Sequence, residues 1–236
     1  MTCALCHQPK PLCDSHIIPE FFYRGAYDEK HRALELTRDR GTERLVQKGY
    51  REPLFCADCE NRFSRYETYF KRAWYDESRL PTRLDTPEHR VTGLDYQLTR
   101  LLHLSIIWRA SVSSHSMFRS VRLGPHESIL RAMLLTDNPG SHDRYHWVAQ
   151  ILVLDGPVLD GFIMEPTVRK HGPRHVYTFT YGGCAWHFVI SSEPVRDWLP
   201  LALQHDGSQI LLRQQLTKDR RVLDFLVDFL RRQGAA

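Results

Sequence analysis

The chain has 236 residues, 42% of them hydrophobic and 25% charged, with a net charge of +4. That apolar content, with five Trp, excludes a disordered tail, and the length is enough to bury a real core in one domain or two. The small basic excess permits a nucleic-acid partner without requiring one, and no apolar run is long enough to span a bilayer.

Six Cys are too few for a disulfide framework in a chain this long. The N-terminus, Met1-Thr2-Cys3-Ala4-Leu5-Cys6, has neither the basic flank nor the apolar stretch of a signal peptide. The expected compartment is therefore reducing, the cytoplasm, where paired Cys are more often metal ligands than disulfides. Cys3 and Cys6 form one C-x-x-C, and Cys56 and Cys59 form a second. Four thiolates in two such pairs suit tetrahedral Zn2+, and their separation fits a treble-clef arrangement with the second pair at a helix start. His7 and Cys13 stand as spare ligands, and Cys184 reads as a small packing residue.

In chain order, residues 1–10 read as a zinc knuckle. Pro19 follows Ile17-Ile18 and is set to start a short helix, with Glu20 in its first turn ahead of Phe21-Phe22-Tyr23. The polar stretch 24–48, with Gly25 and Gly41, reads as a loop or long hairpin, and 43–55 as a strand leading into the second Cys pair. Phe63, Tyr66, Tyr69, Phe70 and Trp74 recur at helical spacing and predict a helix over 60–76. Asp85-Thr86-Pro87 mark a boundary, so the expected division is a zinc module over 1–80 and a second domain over 81–236.

Leucines and isoleucines from Leu94 to Trp108 predict a buried helix over 94–114. Gly124-Pro125 opens another from His126 to Leu135, closed by Asn138-Pro139-Gly140. The period then changes to two. Strands over 147–154, 158–164, 175–180 and 185–190, with turns at Asp155-Gly156-Pro157 and Tyr181-Gly182-Gly183, predict an antiparallel meander. Helices are expected over 194–203 and 219–232. The fold class is thus α+β: an N-terminal zinc treble clef, then a helical and antiparallel-sheet region.

Cys3-Ala4-Leu5-Cys6, Ser15-His16-Ile17-Ile18-Pro19 and Leu54-Phe55-Cys56-Ala57-Asp58-Cys59-Glu60, in that order, resemble the zinc-containing branch of the HNH endonucleases. These are ββα-metal nucleases on a treble-clef scaffold, and the resemblance covers residues 1–75. It implies that His16 is the general base, taking a proton from the water that attacks a phosphodiester, with Mg2+ or Mn2+ offsetting charge on the phosphate. Where the family carries a metal ligand just before the base, this chain has Ser15, with Asp14 one place earlier. Where it carries His after the second Cys pair, this chain has Glu60, an acceptable hard-oxygen ligand. The middle Asn of the family falls near Arg51-Glu52, and Asn61 is the nearest substitute. Glu60 and Glu67 lie seven apart on one helix face, so two carboxylates there, with Asp14, are the candidate ligands of a catalytic cation. The bland alternative places Glu60 at the helix N-terminus for its charge alone.

Arg62, Arg65, Lys71 and Arg72 on or near this helix, and Arg38, Arg40, Arg44, Lys48 and Arg51 before it, interleave with Tyr50, Tyr66 and Tyr69. Such a face can track phosphates, with Arg51, Arg62 and Arg65 as the leading contacts; the acidic residues among them fit a plain solvated surface equally well. A second basic loop holds Arg169, Lys170, His171 and Arg174, and Lys218, Arg220 and Arg221 stand at the start of the last expected helix. Three functions stay open. The first is an HNH-type nuclease acting on DNA, for which the resemblance implies a phage-defence role and residues 81–236 supply targeting or bind a partner protein. The second is a non-catalytic zinc module that binds nucleic acid or a partner. The third is a structural subunit stapled by zinc.

Overall fold

Two short strands and a helix frame the paired cysteines. In this computed structural model the backbone is described for residues 1–27, 32–36, 43–47 and 49–216, and side chains for 1–27 and 49–216. The N-terminal knuckle closes through Cys3 N–H to the Gln8 carbonyl (3.0 Å) and His7 N–H to the Cys3 carbonyl (2.9 Å), with His7 at φ 58°. Strand β1 (Cys13–His16) leads into the Pro19-started 3-10 turn Glu20–Tyr23. An antiparallel pair of β2 (Arg32–Leu36) and β3 (Glu43–Gln47) follows, the hairpin rather than the loop of the two alternatives for 24–48.

The strand expected over 43–55 is two strands with different partners. β3 pairs with β2, while β4 (Arg51–Phe55) pairs antiparallel with β1, placing Cys13 opposite Phe55 and His16 opposite Arg51. Gly49 makes the break. Its φ is +66°, and a Cβ there would stand 2.8 Å from the Tyr23 ring, whose hydroxyl accepts from the Tyr50 N–H at 3.2 Å. Pro53 sits in β4 where the sheet has only two strands and no further neighbour needs its missing donor. Helix α1 (Ala57–Lys71) starts at Cys56 and continues as one wide π turn over Arg72–Asp76.

The rest builds a sheet with a helix packed on one face. Strand β5 (Glu88–Val91) precedes α2 (Tyr96–Val112), which Asp95 caps by accepting from the Leu98 N–H at 2.8 Å. Then come α3 (His126–Leu135), β6 (Trp147–Val153), β7 (Met164–His171), β8 (Arg174–Tyr181), β9 (Cys184–Ile190) and β10 (Gln209–Gln215). The sheet order is β5-β10-β6-β9-β8-β7. The meander is present in β6 to β9, but β10 lies parallel to β6, so the sheet is mixed. No strand covers 158–163; the strand expected over 158–164 begins only at Met164, as β7. Val158 makes an isolated bridge to Val153, and Gly161 at φ +97° packs against the backbone of Gly25. The expected helix over 194–203 is a 3-10 segment, Arg196–Leu201, with Pro200 inside it. The expected helix over 219–232 lies outside the described residues.

Helix α2 is buried around almost its whole circumference, its polar residues Arg100, His103 and Arg109 included. The α1 and β4 side meets it through Phe55 on Trp108 and Phe70 on His103. The sheet meets it through Trp147 and Trp186 on His103. One contiguous hydrophobic cluster therefore runs from Cys3 to Leu211 and includes residues on both sides of position 80. Among the described residues no helix is long and apolar enough to cross a membrane.

Candidate metal centre and the His16 site

Cys3, Cys6, Cys56 and Cys59 converge, their sulfurs all within 4.8 Å of one another, and they form a group that can hold a metal ion such as zinc. The first knuckle supplies one pair; the end of β4 and the first turn of α1 supply the other. Lys10 and Asp58 clasp the two knuckles from outside at 2.7 Å. Burial raises the Cys3 thiol, but the backbone N–H groups of Cys6, Cys56 and Leu5 outweigh it and bring its pKa down to about 7. Cys59 moves the opposite way, raised first by burial and then by the neighbouring thiols, and burial raises Cys6 as well. Four crowded sulfurs cannot all ionise without a counter-charge, and a dication among them supplies it. Cys13 and His7, the spare ligands, are not part of this group, and Cys184 is fully buried in the sheet.

His16 closes β1 beside this centre. Its side chain is 15% exposed, and its backbone is held from both sides. Ile17 N–H donates to the Tyr50 carbonyl at 3.0 Å, and the Arg109 guanidinium donates to the His16 carbonyl at 2.9 Å. The ring meets the Glu20 carboxylate at Nε2 and the Arg51 guanidinium, whose Nε is 3.0 Å from Nε2 and whose Nη2 is 3.4 Å from Nδ1.

The carboxylates assigned to a catalytic cation go to separate partners. Asp14 faces Arg51 at 3.3 Å, and Glu67 takes the buried Arg109 at 2.9 Å. Glu60 in the first turn of α1 lies near Cys13, whose thiol its charge helps to raise after burial, and Glu60 Oε1 is buried without a hydrogen-bond partner among the described residues. Among the described residues the four cysteines are the only group of three or more ligand atoms close enough to share an ion. Asp14, Glu60 and Glu67 thus do not fit a common Mg2+ or Mn2+ as they stand.

The positions flanking the resemblance are also accounted for. Ser15 is buried; its hydroxyl donates to the Cys13 carbonyl at 3.2 Å and accepts from the Phe55 N–H at 3.3 Å, so it serves the strand pair. Glu52 turns away to receive Ser113 and Ser114 at the end of α2, Ser113 Oγ at 2.7 Å. Asn61 is exposed on α1.

Of the three leading phosphate contacts, Arg51 belongs to the His16 cluster. Arg62 is bonded to Asp137, which Tyr66 also reaches. Arg65 lies 3.7 Å from the same carboxylate with its side chain 60% exposed. Arg38, Arg40, Arg44, Lys48, Lys218, Arg220 and Arg221 lie outside the described side chains. Sequence reasoning missed Glu20 and Arg109 as members of the site. The four-residue step from His16 to Glu20, and two arginines, Arg100 and Arg109, inside a largely apolar helix, were the available signals. Compared with protein-family models, with curated proteins and with solved structures, the chain has no match.

Proposed function

We propose that this chain is an HNH-type endonuclease hydrolysing phosphodiester bonds in DNA, with His16 as the general base on a zinc-held treble clef. The observation that carries the reading is the unit formed by β1, β4 and α1. With the N-terminal knuckle it brings the four cysteines together, and it leaves His16, opposite Arg51, at the open end of the strand pair. Zinc bound by Cys3, Cys6, Cys56 and Cys59 would supply rigidity to this unit and no reaction step. His16 accepts the proton of the attacking water, and Arg51 is the cation nearest to where a phosphate would sit against that ring. No step is derived through Mg2+ or Mn2+, because the carboxylates named for it are separated; both ions belong in the assay because the resemblance implies one. Action in phage defence, and targeting or partner binding by residues 81–236, are parts of the same proposal that rest on the resemblance alone.

A second reading has its own support. Asp14 and Glu67 are each neutralised by an arginine, which is how a zinc module that binds nucleic acid or a partner without cleaving would look. Nicking of supercoiled plasmid with Mg2+ or Mn2+ by the zinc-loaded parent, abolished in His16→Ala, supports the nuclease. Salt-sensitive DNA binding with no cleavage in either protein supports the second reading.

A further inference from the structure

Glu20 is four residues beyond His16, on the turn that Pro19 starts. Both of its carboxylate oxygens are engaged. Oε2 contacts His16 Nε2, and Oε1 accepts the Tyr27 hydroxyl at 2.6 Å. The hydroxyl fixes the carboxylate from the side away from the ring, and burial followed by the Glu20 charge raises the Tyr27 phenol, so it stays a donor.

Arg51 Nε also points at His16 Nε2, and one nitrogen cannot donate to Glu20 and accept from Arg51 at once. The carboxylate has the stronger claim. An N–H shared with an ionised oxygen is charge-assisted, and Arg51 already has a carboxylate in Asp14. Protonation at Nε2 leaves the lone pair on Nδ1; Arg51 Nη2 stands 3.4 Å from it, longer than an ordinary N–H hydrogen bond, and must turn to the phosphate for Nδ1 to take a proton.

We propose that Glu20, steadied by Tyr27, is the positioning residue of this site: it holds His16 as the Nε2–H tautomer and makes Nδ1 the proton acceptor. The inference rests on the nuclease reading for the source of the proton. In the step it serves, a water O–H bond breaks and the proton goes to Nδ1. The water oxygen bonds phosphorus, the bond from phosphorus to the leaving oxygen breaks, and that oxygen takes a proton from solvent. The Glu20 charge offsets the imidazolium that forms.

The test is nitrogen NMR of the His16 ring in the full zinc-loaded chain, with His16→Gln to assign the signals, combined with cleavage kinetics. The parent shows the Nε2–H tautomer. Glu20→Gln populates the other tautomer and lowers kcat at least about 10-fold with KM nearly unchanged, and Glu20→Asp recovers part of that loss. Tyr27→Phe, which leaves the carboxylate in place, gives a smaller shift of the same sign and serves if Glu20→Gln does not fold. An Nδ1–H tautomer in the parent, or a ring spectrum unchanged in Glu20→Gln, overturns the inference even if the protein cleaves DNA. An Nε2–H tautomer that depends on Glu20, in a parent that cleaves nothing, supports the positioning role and defeats the nuclease reading instead.

Discussion

Arg109, buried in the last turn of α2, donates through its Nη1 to the backbone carbonyl of His16 from 93 residues away. The same nitrogen reaches Glu67 on α1 at 2.9 Å, and Nη2 reaches the Ser105 hydroxyl at 2.9 Å. The guanidinium also lies 4.9 Å over the Phe63 ring. One cation thus ties α2, α1 and the end of β1 together, and the strand that bears His16 is set by a residue beyond position 80.

Arg109→Ala removes that tie and leaves Glu67 without its cation. Breaking a buried pair from one side costs about 3–5 kcal/mol. Glu67→Gln should cost less, because Arg109 keeps the His16 carbonyl and Ser105. Urea unfolding monitored by Trp fluorescence measures both; equal losses, or a loss under about 1 kcal/mol for Arg109→Ala, contradict this account.

Metal analysis of the purified chain should find about one zinc per molecule. Cys56→Ser should lose it, and chelator should shift the thermal midpoint of the parent but not of the variant. The four sulfurs hold together the knuckle, β4 and the start of α1, so the variant's loss should reach the core around Phe55 and Phe63. Full zinc content in Cys56→Ser would place the ion elsewhere.

Arg62 and Arg65 look alike in sequence and should behave differently. Arg62 is committed to Asp137, with Tyr66 on the same carboxylate, so Arg62→Ala should lower stability. Arg65 is largely exposed, and Arg65→Ala should leave stability unchanged while reducing the slope of log K against log salt for duplex DNA by about 0.9. A reduced slope for Arg62→Ala alone would reverse the assignment.

Two histidines make acid a specific threat. Burial lowers His103 to about 3 and, as the leading cause, His146 to about 4, whereas an unfolded His titrates near about 6.5. Below about 6.5 the unfolded chain takes up protons that the folded one refuses. The stability contributed by each neutral ring is complete above that pH and is lost as pH falls towards about 4 for His146. The His146 share is about 3 kcal/mol. His146→Gln should flatten stability between those pH values relative to the parent, and since both proteins lose zinc alike in acid, their difference isolates the ring. Parallel curves would contradict it.

The helices were legible because each carries its signal locally: aromatic spacing for α1, a largely apolar stretch for α2, and Gly124-Pro125 ahead of α3. Strand β10 was not, since its Gln and Arg residues mask the period and its neighbour β6 is far away in sequence. The cysteine group was legible for the same reason as the helices, through two identical spacings. The fate of the carboxylates was not, because the partners that claim Asp14 and Glu67 are arginines 37 and 42 residues distant.

The central claim is that a zinc-held strand pair and helix present His16 as a base, and single-turnover cleavage of duplex DNA by zinc-loaded parent and equally folded His16→Ala tests it most directly. The account predicts cleavage by the parent and a loss of at least about 100-fold in the variant. Equal rates in the two proteins, or no cleavage by the parent with either Mg2+ or Mn2+, would contradict it.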